Sequence, residues 1–152
     1  MTTEEFDDVL LRGVVDGDLE AFYEYQRDPQ AVRMAAATAE SREPFLEYWT
    51  EIRADRAALA QTVIVNGDVA GYVMSWQNWG ERQVGYWIDR RYWGRGVATT
   101  ALALFLCDMT IRPVRAYVAV HNAGSMRVLE KCGFRRVTER DAGPLAEYVL
   151  ER

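Results

Sequence analysis

The chain has 152 residues, 49% of them hydrophobic, enough for one domain whose core hides roughly two-thirds of the surface that the unfolded chain exposes. Its longest apolar stretch, 97–107, contains two threonines and is too short to cross a bilayer, and the opening "MTTEEFDD" is acidic where a secretory leader would be basic, so no membrane role and a cytoplasmic protein are expected. With 23 acidic against 18 basic residues and a net charge of -5, the composition argues against a nucleic-acid partner.

The charge is unevenly spread. Residues 1–30 carry nine acids against only Arg12 and Arg27, whereas Arg90, Arg91 and Arg95 stand almost together. The stretch "FDDVLLRGVV" reads as a first strand. "DGDLEAFYEYQRDP" reads as a helix, capped by Asp16 or Asp18, that places Leu19, Phe22, Tyr23 and Gln26 on one face and stops at Asp28-Pro29. A second helix is expected over 43–59, with Phe45, Trp49, Ile52, Arg56 and Leu59 at three- and four-residue spacing.

The pattern then changes period. "QTVIVNGDVAGYVMSW" has β-branched runs around Asn66-Gly67, a strong hairpin signal, and "RQVGYWID" adds a strand after the turn "QNWGE". Trp76 and Trp79 near that turn suit either a substrate stack or packing on their own sheet or a dimer contact. "VATTALALFLCDM" is expected to be a helix with Ala98, Ala101, Leu102, Phe105 and Met109 on its packed stripe, and "VRAYVAV" a buried strand. "NAGSMRVLEKC" reads as a helix with Asn122 as cap and Gly133 just past its end, and "FRRVTER" and "EYVLER" finish as strands. Seven strands and four helices in this order make a single mixed α/β (α+β) domain over 1–152. Cys107 and Cys132 form no CxxC and have one histidine between them to help, so neither a metal site nor a disulfide framework is indicated and both are expected as buried thiols.

The stretch "RRYWGRGVAT" sets Gly94 and Gly96 directly before the helix that starts at Val97. Glycine admits positive φ and close approach to the backbone, and a helix start offers unpaired N–H groups with a partial positive charge. The loop therefore suits an anion, although a tight strand-to-helix turn would need the same glycines. A P-loop lysine is missing, and a dinucleotide fingerprint would need glycine where Thr99 stands.

Read as Arg91-Tyr92-Trp93-Gly94-Arg95-Gly96, the stretch resembles the acetyl-CoA pyrophosphate loop of the GNAT acetyltransferase superfamily, and "NAGSMRVLEKCGF" resembles that superfamily's N-x-x-S/A and E-K-x-G-F run. Similarity extends over nearly the whole chain, and "DGDLEAFYEYQRDP", "GDVAGYV" and "VGYWIDRRYWGRG" resemble the ribosomal-protein N-terminal acetyltransferase branch. The resemblance implies a mostly antiparallel sheet of about seven strands, splayed between the fourth and fifth to admit acetyl-CoA. It implies cofactor contacts from the backbone of Trp87, Ile88 and Asp89, from Arg91, Trp93, Gly94, Arg95, Gly96, Val97 and Ala98, and from Asn122, Ser125, Arg127 and Lys131. Asn122 would touch the pantetheine arm, and equally suits a plain helix cap. Ser125 would protonate the leaving thiolate, and equally suits a first-turn serine.

Two positions depart from that pattern: Leu129 stands where many members carry a tyrosine acid, and Gln83 where many carry a glutamate base. The nearest carboxylate is Glu81, beside the hairpin turn, and the sole histidine, His121, adjoins Asn122 and could relay a proton. The implied activity is N-acetylation of an amine acceptor. An α-amine, with a pKa of about 7.7 to 8.0 against about 10.4 for lysine, needs little help from a base, which favours a peptide N-terminus over a small or antibiotic amine. A CoA-binding module without turnover, and an arginine loop that docks acidic protein surfaces, are the competing readings. The exposed aromatic turn and final strands leave room for a homodimer.

Overall fold

The computed structural model describes residues 7–138 and 143–152. β1 (Val9–Gly13) is followed by α1 (Asp18–Tyr25), α2 (Pro29–Ala35) and α3 (Arg42–Ala54), then by β2 (Leu59–Val65), β3 (Asp68–Asn78) and β4 (Glu81–Ile88). A 3₁₀ turn, Arg90–Tyr92, leads into α4 (Val97–Asp108), β5 (Val114–Ala119), α5 (Ala123–Lys131), the two-residue β6 (Arg135–Arg136) and β7 (Leu145–Leu150). The strands form one seven-stranded sheet in the order β1-β2-β3-β4-β5-β7-β6. This is the expected mixed, mostly antiparallel sheet, with five α-helices rather than four. Among the described residues no helix is long and apolar enough to cross a membrane.

The additional helix is α2. α1 already ends at Tyr25, with Gln26 as its cap; Asp28-Pro29 instead starts the next helix, the Asp28 side chain accepting the Gln30 N–H and Pro29 occupying the first helical position. The cap of α1 is Gly17, with no side-chain bond, and neither Asp16 nor Asp18. Asp18 is turned inward instead: it accepts Arg12 at 2.7 and 2.9 Å, the Val15 N–H at 3.0 Å and the Thr62 hydroxyl at 2.7 Å. α3 stops at Ala54, five residues short of the expected end, because Leu59 opens β2. The last run, "FRRVTER", is strand only at Arg135–Arg136; its Glu139 and Arg140, like Phe6 of the first run, lie outside the described residues.

Asn66 and Gly67 both take positive φ, 51° and 88°, as a two-residue turn between right-twisted strands demands. Side chains alternate across the sheet. On one face Val84 and Ile88 of β4 join Val97, Ala101, Leu102 and Phe105 of α4 and Leu129 of α5. On the other, Met74 of β3 meets Phe22, Phe45 and Trp49 of α1 and α3, with Trp76 and Trp87 against them. Trp76 thus packs on its own sheet, its ring about 3.1 Å from where a Cβ on Gly85 would lie, whereas Trp79, at the β3–β4 turn, is 97% exposed. The expectation of two buried thiols fails for Cys107, which is exposed on the outer side of α4, while Cys132 is half-buried.

Candidate active site

β4 and β5 run parallel and, among the described residues, touch in the ladder at one place, Gln83 opposite Arg115. Beyond it the strands part, and a cleft of about 470 Å³ opens between β4, the start of α4, the start of α5 and the side of α2.

The floor of the cleft is the free edge of β4. Asp89 donates its N–H to the Ala70 carbonyl at 2.8 Å. With Trp87 opposite Tyr72 and Ile88 opposite Gly71, the alternation of an antiparallel ladder turns the Trp87 amide to β3 as well, and points those of Tyr86 and Ile88 toward the gap. Of the three backbone positions expected at this edge, Ile88 therefore offers its amide, Trp87 lines the cleft without it, and Asp89 lies outside. Tyr86 supplies a second free amide that the sequence reading missed. The Ile88 carbonyl, on the same edge, accepts the Trp93 indole N–H at 2.8 Å, which fixes the Trp93 ring in the cleft wall.

At one end of the cleft lie Gly94, Gly96, Val97, Ala98 and Thr99. Gly94 and Gly96 take φ of 75° and 76°, and Gly96 caps α4 without any side-chain bond. The first helical bond is Thr100 N–H to the Gly96 carbonyl, which leaves the preceding amides of the helix start free of helical partners. A Cβ built on either glycine meets nothing within 4 Å: the loop is an open cradle of backbone donors. Arg127 and Lys131, on α5, bring positive charge to the same cleft.

The flanking arginines are engaged elsewhere. Arg91 pairs with Asp89 at 2.8 Å, Arg95 with Asp7 at 2.5 Å, and Arg90 with Asp28 at 3.0 Å. None of the three lines the cleft, although each is at least 44% exposed at its side chain. Asp7 is held in turn by the Asn66 amide at 3.2 Å.

Hydroxyl groups gather at the start of α5. Asn122 caps the helix, its Oδ1 accepting the Ser125 N–H at 3.2 Å, and both residues line the cleft. The Tyr86 phenol, reaching up from β4, lies 2.9 Å from Ser125 Oγ. Burial pushes this phenol up to about 12, although the bond to Ser125 pulls the other way. His121 also lines the cleft, and its Nε2–H donates to the Arg33 carbonyl at 2.8 Å, tying α2 across the opening. The sequence-named residues brought together here are thus Trp87, Ile88, Trp93, Gly94, Gly96, Val97, Ala98, His121, Asn122, Ser125, Arg127 and Lys131.

Glu81 is elsewhere. It opens β4, where the Tyr117 hydroxyl reaches it at 2.7 Å and Arg115 at 3.5 Å. Five residues of extended chain separate it from Tyr86, about 17 Å. Among the described residues no carboxylate lines the cleft. Leu129, one turn along α5 from Ser125, is buried in the core at 1% exposure.

Comparison with known proteins bears directly on this geometry. Residues 8–135 match the family model described as the acetyltransferase (GNAT) domain. A probable N-acetyltransferase of Bacillus subtilis strain 168, YjcK, is 37% identical over 57 residues, 35% of this chain and 32% of that protein, so the match spans about a third of the relative's length. The fold superposes on spermidine N-acetyltransferase from Vibrio cholerae, solved in complex with CoA and spermine, with a TM-score of 0.79 and 18% identity over 94% of this chain and 95% of that one. It also superposes on an aminoglycoside acetyltransferase solved with coenzyme A, with a TM-score of 0.75 and 20% identity over 95% of each chain.

Proposed function

Given that the chain belongs to the GNAT acetyltransferase family, we propose that it transfers an acetyl group from acetyl-CoA to a primary amine, and that the amine is the α-amine of a peptide or protein N-terminus, as in the ribosomal-protein branch. The observation that carries the reading is the cleft itself, with free backbone donors at one end and a hydroxyl pair at the other, joined by the unpaired edge of β4.

The cleft suits the donor. The open cradle at Gly94 and Gly96 and the uncapped amides of Val97 and Ala98 match a diphosphate, and Arg127 and Lys131 supply the countercharge. The edge amides of Tyr86 and Ile88 would hold a pantetheine arm, with Asn122 and Trp93 also lining its path. Arg91 and Arg95 would reach the phosphates by leaving Asp89 and Asp7. Bound acetyl-CoA supplies the thioester, whose carbonyl the acceptor amine attacks. Ser125, on the cleft wall, would hand a proton to the sulfur as the C–S bond breaks.

Support for the α-amine is that no carboxylate among the described residues lines the cleft. A general base is therefore missing where a strongly basic lysine amine would need one, while an α-amine is already partly neutral at pH 7. His121, with its Nε2–H committed to Arg33, keeps Nδ1 as the nitrogen able to accept a proton through water. The amines named for the spermidine and aminoglycoside enzymes support the primary-amine class and make small amines the comparison set.

The test is calorimetric titration with acetyl-CoA, followed by thiol release on adding N-terminal peptides, lysine peptides, polyamines and aminoglycosides. Saturable 1:1 binding with release on α-amine peptides is expected. Release on small amines alone would overturn the acceptor, and binding without release on any amine would make the chain a CoA-binding module.

A further inference from the structure

Ser125 sits in the first turn of α5 with its amide already capped by Asn122. A serine there has three rotamers and a freely rotating hydroxyl, and an acid at a departing sulfur must hold its proton in one direction. The position one turn further on, on the same face of α5, is Leu129, which is buried in the core and has nothing to donate. Among the described residues the side chain that bonds Ser125 Oγ comes from another element: it is the Tyr86 phenol, 39 residues away in sequence, at 2.9 Å.

We propose that Tyr86 is a positioning residue for the acetyl transfer: its O–H donates to Ser125 Oγ, so that the serine proton is left to point into the cleft at the sulfur of the bound thioester. The inference rests on the acetyltransferase reading above and adds to it a residue that works through Ser125. Three further observations carry it. Tyr86 lies on the face of β4 that packs on the larger core cluster, so its ring is held by packing and the phenol is aimed rather than free. Its backbone lies on the strand edge that opens into the gap, so the amide beside the donor arm and the phenol that orients the acid belong to one residue. Finally, the phenol is protonated throughout the neutral range, with burial pushing it further up, so it has a proton to donate to Ser125 Oγ.

In the step itself, the amine nitrogen forms the new C–N bond and loses one proton to water. The C–S bond breaks with its electron pair on sulfur, and the Ser125 proton passes to that sulfur. Ser125 is reprotonated from solvent. The Tyr86 O–H, hydrogen-bonded to the serine oxygen, stabilises it while charge develops there.

The test is a double-mutant cycle with Tyr86→Phe, Ser125→Ala and the pair, reading kcat and KM on the best acceptor of the panel and acetyl-CoA affinity by calorimetry. Tyr86→Phe deletes one oxygen and keeps the ring, and unchanged thermal unfolding confirms that the core survives. The expected result is a fall in kcat of about tenfold for Tyr86→Phe, with acetyl-CoA affinity kept within about twofold, and no additional loss when it is placed on Ser125→Ala. A full loss repeated in the Ser125→Ala background, or a change confined to acetyl-CoA affinity, overturns the positioning role while leaving the acetyltransferase reading intact. Wild-type protein that binds acetyl-CoA and acetylates nothing overturns both.

Discussion

The Thr62 hydroxyl donates to the Asp18 carboxylate at 2.7 Å, tying the first residue of α1 to the middle of β2 in a spot where both are buried, at 3% and 0% exposure. Burial by itself would raise the Asp18 carboxyl. The Arg12 guanidinium, the Val15 amide and the Thr62 hydroxyl together outweigh it and bring the group down from 3.8 to about 2. Because the folded value lies below the unfolded one, the carboxylate stabilises the fold fully above about pH 4, and the contribution is lost as pH falls through about 2. It is worth on the order of 2 kcal/mol. Asp18→Asn should lower the unfolding temperature at pH 7 and flatten the stability profile between pH 4 and pH 2, as followed by circular dichroism.

Gly94→Asp should weaken acetyl-CoA binding by at least about tenfold, since it sets a carboxylate and a Cβ into the open cradle at a positive-φ position. Gly94→Ala, which adds strain and bulk without charge, should lose less. Calorimetry on the two variants separates the charge from the backbone effect.

Asn122→Ala should cost about 1 kcal/mol of stability through the lost cap on α5, and should weaken acetyl-CoA binding as well. Asn122→Ser keeps a capping oxygen. If the amide touches the pantetheine arm, the serine variant recovers the unfolding temperature but not the affinity; recovery of both would reduce Asn122 to a cap.

Asp7 competes with any phosphate for Arg95. Asp7→Asn should tighten acetyl-CoA binding about two- to fivefold at low salt, with the gain fading near 0.5 M as the exposed charges are screened. Arg95→Ala should weaken it, and titrations at two salt concentrations check both signs.

Glu81→Gln should leave kcat within about twofold of wild type, because Glu81 is committed to Tyr117 and Arg115 at the far end of β4. A large fall in kcat with unchanged stability would bring Glu81 back as a base acting through a water chain.

What could be read from the sequence was local. Asn66-Gly67 announced its hairpin because only a two-residue turn wants positive φ at both places, and Gly94 and Gly96 announced the cradle for the same stereochemical reason. Asp28-Pro29 was half legible: a pair that reads as a stop for one helix is the cap and the proline that begin another, and α2, at seven residues, is too short to show a period of its own. Leu59 kept the helical spacing of α3 yet belongs to β2, since an apolar residue suits either period and the pairing with Ser75 decides. Contacts between distant residues were beyond reach. Nothing in the chain marks Arg95 as the partner of Asp7, 88 residues away, or Tyr86 as the partner of Ser125, because such pairs depend on which strands become neighbours.

Among the described residues the single Gln83–Arg115 bridge also splits the sheet into two ladders. Strands β1 to β4 form one and β5 to β7 the other; their backbones meet five residues from Ile88, and the core around α4 and the Tyr86–Ser125 and Tyr117–Glu81 bonds join them elsewhere. An edge left unpaired from Tyr86 to Ile88 can thus take a donor chain alongside it without any bond of the ladder having to break.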